Sequence, residues 1–325
     1  MRTSLALLAV GLLMTACTTT VHADVAIDDA AATAPASGLE RLLLTATTSA
    51  QPAFTASAVP IPLRQLPRGG RRIFPTYLVV AHYGTAGTAA LGVLGEGSPD
   101  VAAARLVRAA APFAKASGRR VLPAFELIAT VAQRKPGDDG TYSAYLSDAD
   151  VARYLAAARR MKALVVLDLQ PGRADFLTQA RHYEKFLLQP DVGLALDPEW
   201  KLTPTQVPLK QIGATDAASI NAVSSYLAQL TVSHGLPEKL FVVHQFRTDM
   251  IPDRVKVVPR PGLAMVVHLD GFGTQWVKHE VYDALSLKTG PLHNGLKLFI
   301  DEDTHMFTPY EAMAFRPRPE LVTYQ

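Results

Sequence analysis

From residue 74 onward the chain alternates between two textures. Continuous apolar runs predict strands over 77–83, 120–130, 163–170, 192–197, 239–246, 263–270, 296–303 and 321–325. Between them, apolar positions recurring every three to four residues predict helices over 99–116, 148–161, 173–188, 216–233 and 275–288, with a short one near 309–314. The punctuation agrees. Pro99 falls in the first turn of the first helix and Gly118 follows its end. Ser147 or Asp148 caps the second. Strands apolar on both faces are strands covered on both faces, and strand–helix alternation implies a parallel sheet with crossover helices. Eight such runs favour a closed (β/α)8 barrel of TIM type, a fold of ~250 residues. The alternative is an open doubly wound parallel sheet. For that, Tyr83-Gly-Thr-Ala-Gly-Thr-Ala89 offers only a faint version of the glycine-rich phosphate turn. Residues 247–262 are irregular and hold Pro252, Pro259 and Pro261, so the fifth crossover helix is expected to be degenerate. No helix is expected after the eighth strand.

Loop lengths add a direction. Helix-to-strand connections are short, at 117–119, Lys162, 189–191 and 235–238. Strand-to-helix connections are long, at 131–147, 198–215 and 247–262. In barrels the loops after the strands build the site, while the opposite rim serves stability.

The N-terminal part reads differently. Arg2 precedes an apolar stretch at 5–14, too short to span a bilayer, and then comes Met14-Thr15-Ala16-Cys17. This order resembles a bacterial lipobox. It implies a signal peptide at 1–16 and lipidation of Cys17, the chain's one cysteine. The alternative is ordinary secretion with cleavage after Val21-His22-Ala23. Both readings export the protein. Residues 17–72, rich in Ala, Thr, Ser and Pro, are assigned to a flexible tether, and 73–325 to the barrel domain. A net charge of +3 leaves no footprint for nucleic acid, and the expected membrane contact is the lipid anchor.

Polar residues gather where the apolar runs end. The third strand ends Asp168-Leu-Gln170, the fourth Asp197-Pro-Glu199, the sixth His268-Leu-Asp270 and the seventh Asp301-Glu-Asp303. His82-Tyr83 ends the first strand, His244-Gln245 the fifth, and Glu126 interrupts the second. Residues two apart on a strand share a face, so each pair is expected to point one way. Carboxylates gathered at low dielectric raise one another's pKa, which keeps a proton donor loaded near neutral pH. Each residue also has a plainer reading. Asp301 to Asp303 fit a cap or turn, Asp270-Gly271 is a turn dipeptide, and His82, His244 and His268 each fit a core histidine. Glu126 has apolar residues on both sides, and a buried acid there needs a partner. As a set they predict a ligand site at the barrel mouth, with Trp200, Tyr83, Phe272 and Trp276 available to stack on sugar rings.

Asp197-Pro198-Glu199 on the fourth strand resembles the Asp-x-Glu ending of chitinase-type and some lysozyme-type glycoside hydrolases, which are (β/α)8 barrels or close variants. Met265-Val-Val-His-Leu-Asp270 is similar to the chitinase Met-x-Tyr-Asp, with Leu269 in place of Tyr. Ala195 stands where that pattern has a further Asp. The resemblance implies Glu199 as proton donor with Asp197 assisting. Tyr83, Glu126, Asp168, Gln170, Trp200, His244, His268, Asp270 and Asp301 would then surround a carbohydrate ligand. A second layout pairs Glu199 with Asp301 or Glu302 as nucleophile. The chain as a whole resembles secreted bacterial barrel lipoproteins, a likeness that assigns no activity.

No cofactor is expected and no metal ligand is assigned; metal-dependent hydrolysis, for which His82, His244, His268 and several acids supply ligand types, is a third layout ranked below the glycosidase. The His-x-His on strand one and the strand-eight Asp of amidohydrolase barrels are absent. His82-Tyr83-Gly84 is similar to the His-Arg-Gly of glycerophosphodiester phosphodiesterases, without its Arg or the Glu-x-Asp on strand two. No Gly-x-Ser-x-Gly elbow exists. The expected function is therefore glycoside hydrolysis of a cell-surface or environmental polysaccharide. The alternative is a non-catalytic barrel binding carbohydrate or a cell-envelope partner.

Overall fold

Eight parallel strands close into a ring in the computed structural model, which describes residues 63–325. The expected signal peptide, Cys17 and most of the expected tether fall outside the described residues. In chain order the elements are β1 (Tyr77–Gly84), α1 (Pro99–Ser117), β2 (Arg120–Ala132), β3 (Ser143–Tyr145), α2 (Asp148–Arg160), β4 (Leu164–Leu169), α3 (Phe176–His182) and α4 (Glu184–Leu187). There follow β5 (Val192–Leu196), α5 (Ala217–Ser233), β6 (Lys239–Gln245), β7 (Leu263–Leu269), α6 (Gln275–Leu285), β8 (His293–Leu298), α7 (Pro309–Ala312) and β9 (Leu321–Tyr324). β1 pairs with β2 on one side (Tyr77↔Arg120) and with β9 on the other (Val79↔Leu321), both parallel. That double pairing closes the barrel and excludes the open sheet. β3 is an antiparallel addition to the end of β2, inside the long loop before α2.

Local chemistry accounts for the helix ends. Ser98 accepts from Val101 N ahead of Pro99, and Gly118 closes α1 at φ +69°, where a side chain would be strained. Ser147, not Asp148, caps α2. The helix expected over 173–188 is broken at Tyr183, whose hydroxyl donates to Ala129 O at 2.6 Å and to Leu146 O at 3.0 Å. The crossover after β6 holds only single 3-10 turns at Thr248–Met250 and Arg254–Lys256, the degenerate helix its prolines implied. The strand expected over 296–303 lies earlier, at His293–Leu298. Beyond it the chain turns, because the Asp303 carboxylate accepts from Phe299 N at 2.9 Å and pairs with Lys278 Nζ at 2.9 Å.

Strand residues alternate between two packed layers. Leu78, Phe125, Leu127, Val165, Leu194 and Phe241 face the helices. Tyr77, Val79, Leu122, Ala124, Leu164, Val166, Ala195, Leu240, Val242, Ala264, Val266 and Leu321 fill the ring from inside. Leu66, Ile73 and Phe74 belong to that inner cluster. Arg68 donates to Val121 O at 3.0 Å, and Arg71 to Leu236 O at 2.8 Å. Residues 64–73 thus pack across the lower rim.

Period 2 carried upward from this floor sets the next inward layer. It must hold Tyr83, Glu126, Asp168, Asp197, His244, His268, Lys297 and Thr323. Each is buried.

Candidate active site

Asp270, just past β7, organises the polar layer. Its Oδ2 accepts from His244 Nδ1 and its Oδ1 from His268 Nδ1, both at 2.6 Å. Lys297 Nζ on β8 adds a third contact to Oδ2 at 3.3 Å and sits 3.7 Å from the centre of the Tyr83 ring. Asp270 is therefore a buried junction as well as the start of a turn. Tyr83 OH donates to Asp168 Oδ2 at 2.8 Å and accepts from Gln170 Nε2 at 3.3 Å. An irregularity in the β2–β4 register between Ile128 and Thr130 lets Thr130 Oγ1 accept from Gln170 N at 2.9 Å. Ser143 of β3 donates to Gln170 O at 2.8 Å, so the long loop after β2 folds back to brace the site. Glu126 Oε2 accepts from Thr323 Oγ1 at 2.9 Å. Its Oε1 is 3.0 Å from His244 Nε2, close enough for an ion pair but not aligned as a hydrogen bond.

Asp197 and Glu199 meet by a route other than the expected one. β5 ends at Leu196, and Pro198–Trp200 form a 3-10 turn. Pro198 supplies no N–H and a fixed φ, so the strand stops and the chain folds over. The returning loop donates Gly213 N to Glu199 O at 2.6 Å. A Cβ on Gly213 would sit 2.4 Å from Lys201 O, so only glycine fits. The turn leaves Asp197 buried and Glu199 half-buried. Among the described residues no hydrogen bond or ion pair occupies the Glu199 carboxyl.

Charge divides the cluster in two. Burial works against ionisation of Asp270, but His244, Lys297 and His268 outweigh it and hold the carboxyl well below the usual range. Burial likewise opposes the charge on His244, yet Asp270 and Glu126 raise its pKa well above the ordinary value. Lys297 is held charged against burial by the surrounding acids, and Glu126 is lowered against burial by His244. His268 is lowered by burial and stays neutral. The acids nearer the mouth behave oppositely. Burial, with Asp197 and Glu126 adding to it, raises Asp168 to about 7 against the pull of His244. Asp197 is raised by burial. Glu199 is raised to about 8 by burial and then by Asp197. An ionised inner set thus lies beside acids that hold protons near neutral pH.

Of the sequence candidates, Tyr83, Glu126, Asp168, Gln170, Asp197, Glu199, His244, His268 and Asp270 come together. Trp200 is half-buried and Asp301 exposed, and neither side chain is bonded to the cluster. His82 faces the helices with its ring edge on Tyr324, and burial lowers its pKa to about 4, as for a core histidine. Sequence reasoning missed Lys297 and Thr323. A single Lys between Leu296 and Leu298 was the available signal. No protein-family model matches this chain, and no curated protein matches it.

Proposed function

We propose that the barrel hydrolyses glycosidic bonds of a cell-surface or environmental polysaccharide by carboxylate acid–base catalysis. The observation that supports this reading is Glu199: an unpaired carboxyl at the C-terminal mouth, raised to about 8, with buried Asp197 beside it. Glu199 gives its proton to the glycosidic oxygen as the bond to the anomeric carbon breaks. Water then adds its hydroxyl to that carbon and returns a proton to the acid pair. Residues 1–17 support export and a lipid anchor on the outer side of the cell membrane, with secretion as the alternative.

A second reading, a non-catalytic carbohydrate-binding barrel, is favoured by Asp270, which is closed off by Lys297 and two histidines. A panel of cell-wall and storage glycans separates the two. The acid–base reading expects cleavage of at least one glycan. Its kcat/KM falls about tenfold per pH unit above the Glu199 pKa of about 8, because only the protonated acid works. Binding without cleavage, or cleavage with no alkaline decline, contradicts it.

A further inference from the structure

Beside the acid pair, in the same inward layer as Asp197, lies a second constellation that the acid–base reading does not use. Glu126, Asp168, His244 and His268 are each 0–1% exposed. Each spends one polar atom on a fixed bond. Glu126 Oε2 is held by Thr323, Asp168 Oδ2 by Tyr83, and both Nδ1 atoms by Asp270. Among the described residues each leaves its other polar atom, Glu126 Oε1, Asp168 Oδ1, His244 Nε2 and His268 Nε2, without an aligned hydrogen bond, although His244 Nε2 and Glu126 Oε1 face each other as an ion pair. Buried polar atoms are seldom left so. Two carboxylate oxygens turned toward one imidazole nitrogen, with a second imidazole nitrogen free in the same layer, call for a common partner.

We propose that this layer binds one divalent transition-metal ion through His244 Nε2, Glu126 Oε1 and Asp168 Oδ1, with His268 Nε2 as the fourth donor. His244 Nε2 is 3.0 Å from Glu126 Oε1 and 3.8 Å from Asp168 Oδ1. Donors ~2.0–2.1 Å from a tetrahedral ion lie ~3.3 Å apart, between these two spacings; His268 Nε2 lies farther than 4.0 Å from both carboxylates, and its ring moves inward to complete the shell. The ion takes the place of the proton on His244 Nε2. The imidazoles are already set for it, since a carboxylate that accepts from Nδ1 fixes the tautomer and turns the Nε2 lone pair outward. Asp270 is this orienting group and not a ligand, because both its oxygens are occupied by imidazole nitrogens at 2.6 Å. The His268 ring lies against bare backbone: a Cβ on Gly295 would come within 2.5 Å of His268 Cδ2. Two nitrogens and two carboxylates suit zinc or a similar first-row ion better than calcium or magnesium, which prefer all-oxygen shells.

Zinc(II) alone is the probe. The full chain, stripped with a chelator, is dialysed against zinc, and bound metal is measured by mass spectrometry. One equivalent is expected, with a rise in melting temperature. Glu126→Gln and His268→Gln weaken binding by about 10–100-fold or more, and Thr323→Val, which only frees Glu126, by about 10–100-fold. His234→Gln, on an exposed histidine, leaves binding unchanged. Cobalt(II) in wild type should give the intense visible bands of a four-coordinate nitrogen–oxygen site, a readout independent of whether any variant folds. No bound equivalent, equal binding by wild type and Thr323→Val, or a six-coordinate cobalt spectrum overturns the proposal. Neither Glu199 nor Asp197 is a donor, so this result and glycan turnover stand or fall separately.

Discussion

Glu199→Gln lowers kcat on a cleaved glycan by ~10²–10⁴-fold and leaves the barrel folded. The substitution keeps the shape of the side chain and removes the transferable proton. KM changes little, since the loss falls on the transition state. A merely structural Glu199 predicts something else, and linkage separates the cases. The folded pKa of about 8 lies above the ordinary 4.5, so between those values the folded state binds more protons than the unfolded state. Stability from this group is therefore full below the lower value and is lost as pH rises through the upper one. Gln has no such loss, and the variant is at least as stable as wild type at pH near 8. Unchanged turnover, or a variant that melts well below wild type at that pH, removes Glu199 from the mechanism.

Asp270→Asn acts through the fold. It leaves Lys297 buried with no carboxylate in contact and takes from His244 and His268 the one acceptor that orients both rings. An amide presents one acceptor oxygen where the carboxylate offers two, and its NH2 faces a donor. Breaking a buried ion pair on one side costs about 3–5 kcal/mol. Urea unfolding near neutral pH should show a loss of that size. A loss below about 1 kcal/mol would mean that the junction does not hold the polar layer together.

The ring itself was legible because its signals are local and repeated. Apolar runs, helical periodicity and long loops after strands all point to a closed barrel with its site at one rim. Glu126 was legible as an acid within an apolar run. The pairing of Asp197 with Glu199 was legible, but its cause was not. A strand was expected to place both on one face, whereas Pro198 ends the strand and a turn brings them together. Lys297 and Thr323 escaped because their importance comes from a register set by the neighbouring strands, Lys297↔Thr323 among them. The seventh strand was drawn too far because Asp303 looks like a strand tip, while its carboxylate is spent on Lys278 and two backbone N–H groups. Residues 64–72 read as tether by composition, yet Leu66 and the arginine contacts close the floor. Such contacts join distant parts of the chain and leave no periodic trace.

Burial in the turn after β5, with Asp197 beside it, is expected to keep Glu199 protonated near neutral pH. Carbon-13 NMR of carboxyl-labelled glutamates, with the Glu199 signal assigned by its disappearance in Glu199→Gln, measures this without any substrate. A midpoint of about 8 is expected. A midpoint near the ordinary 4.5 would show a carboxylate already ionised at neutral pH, with no proton to give.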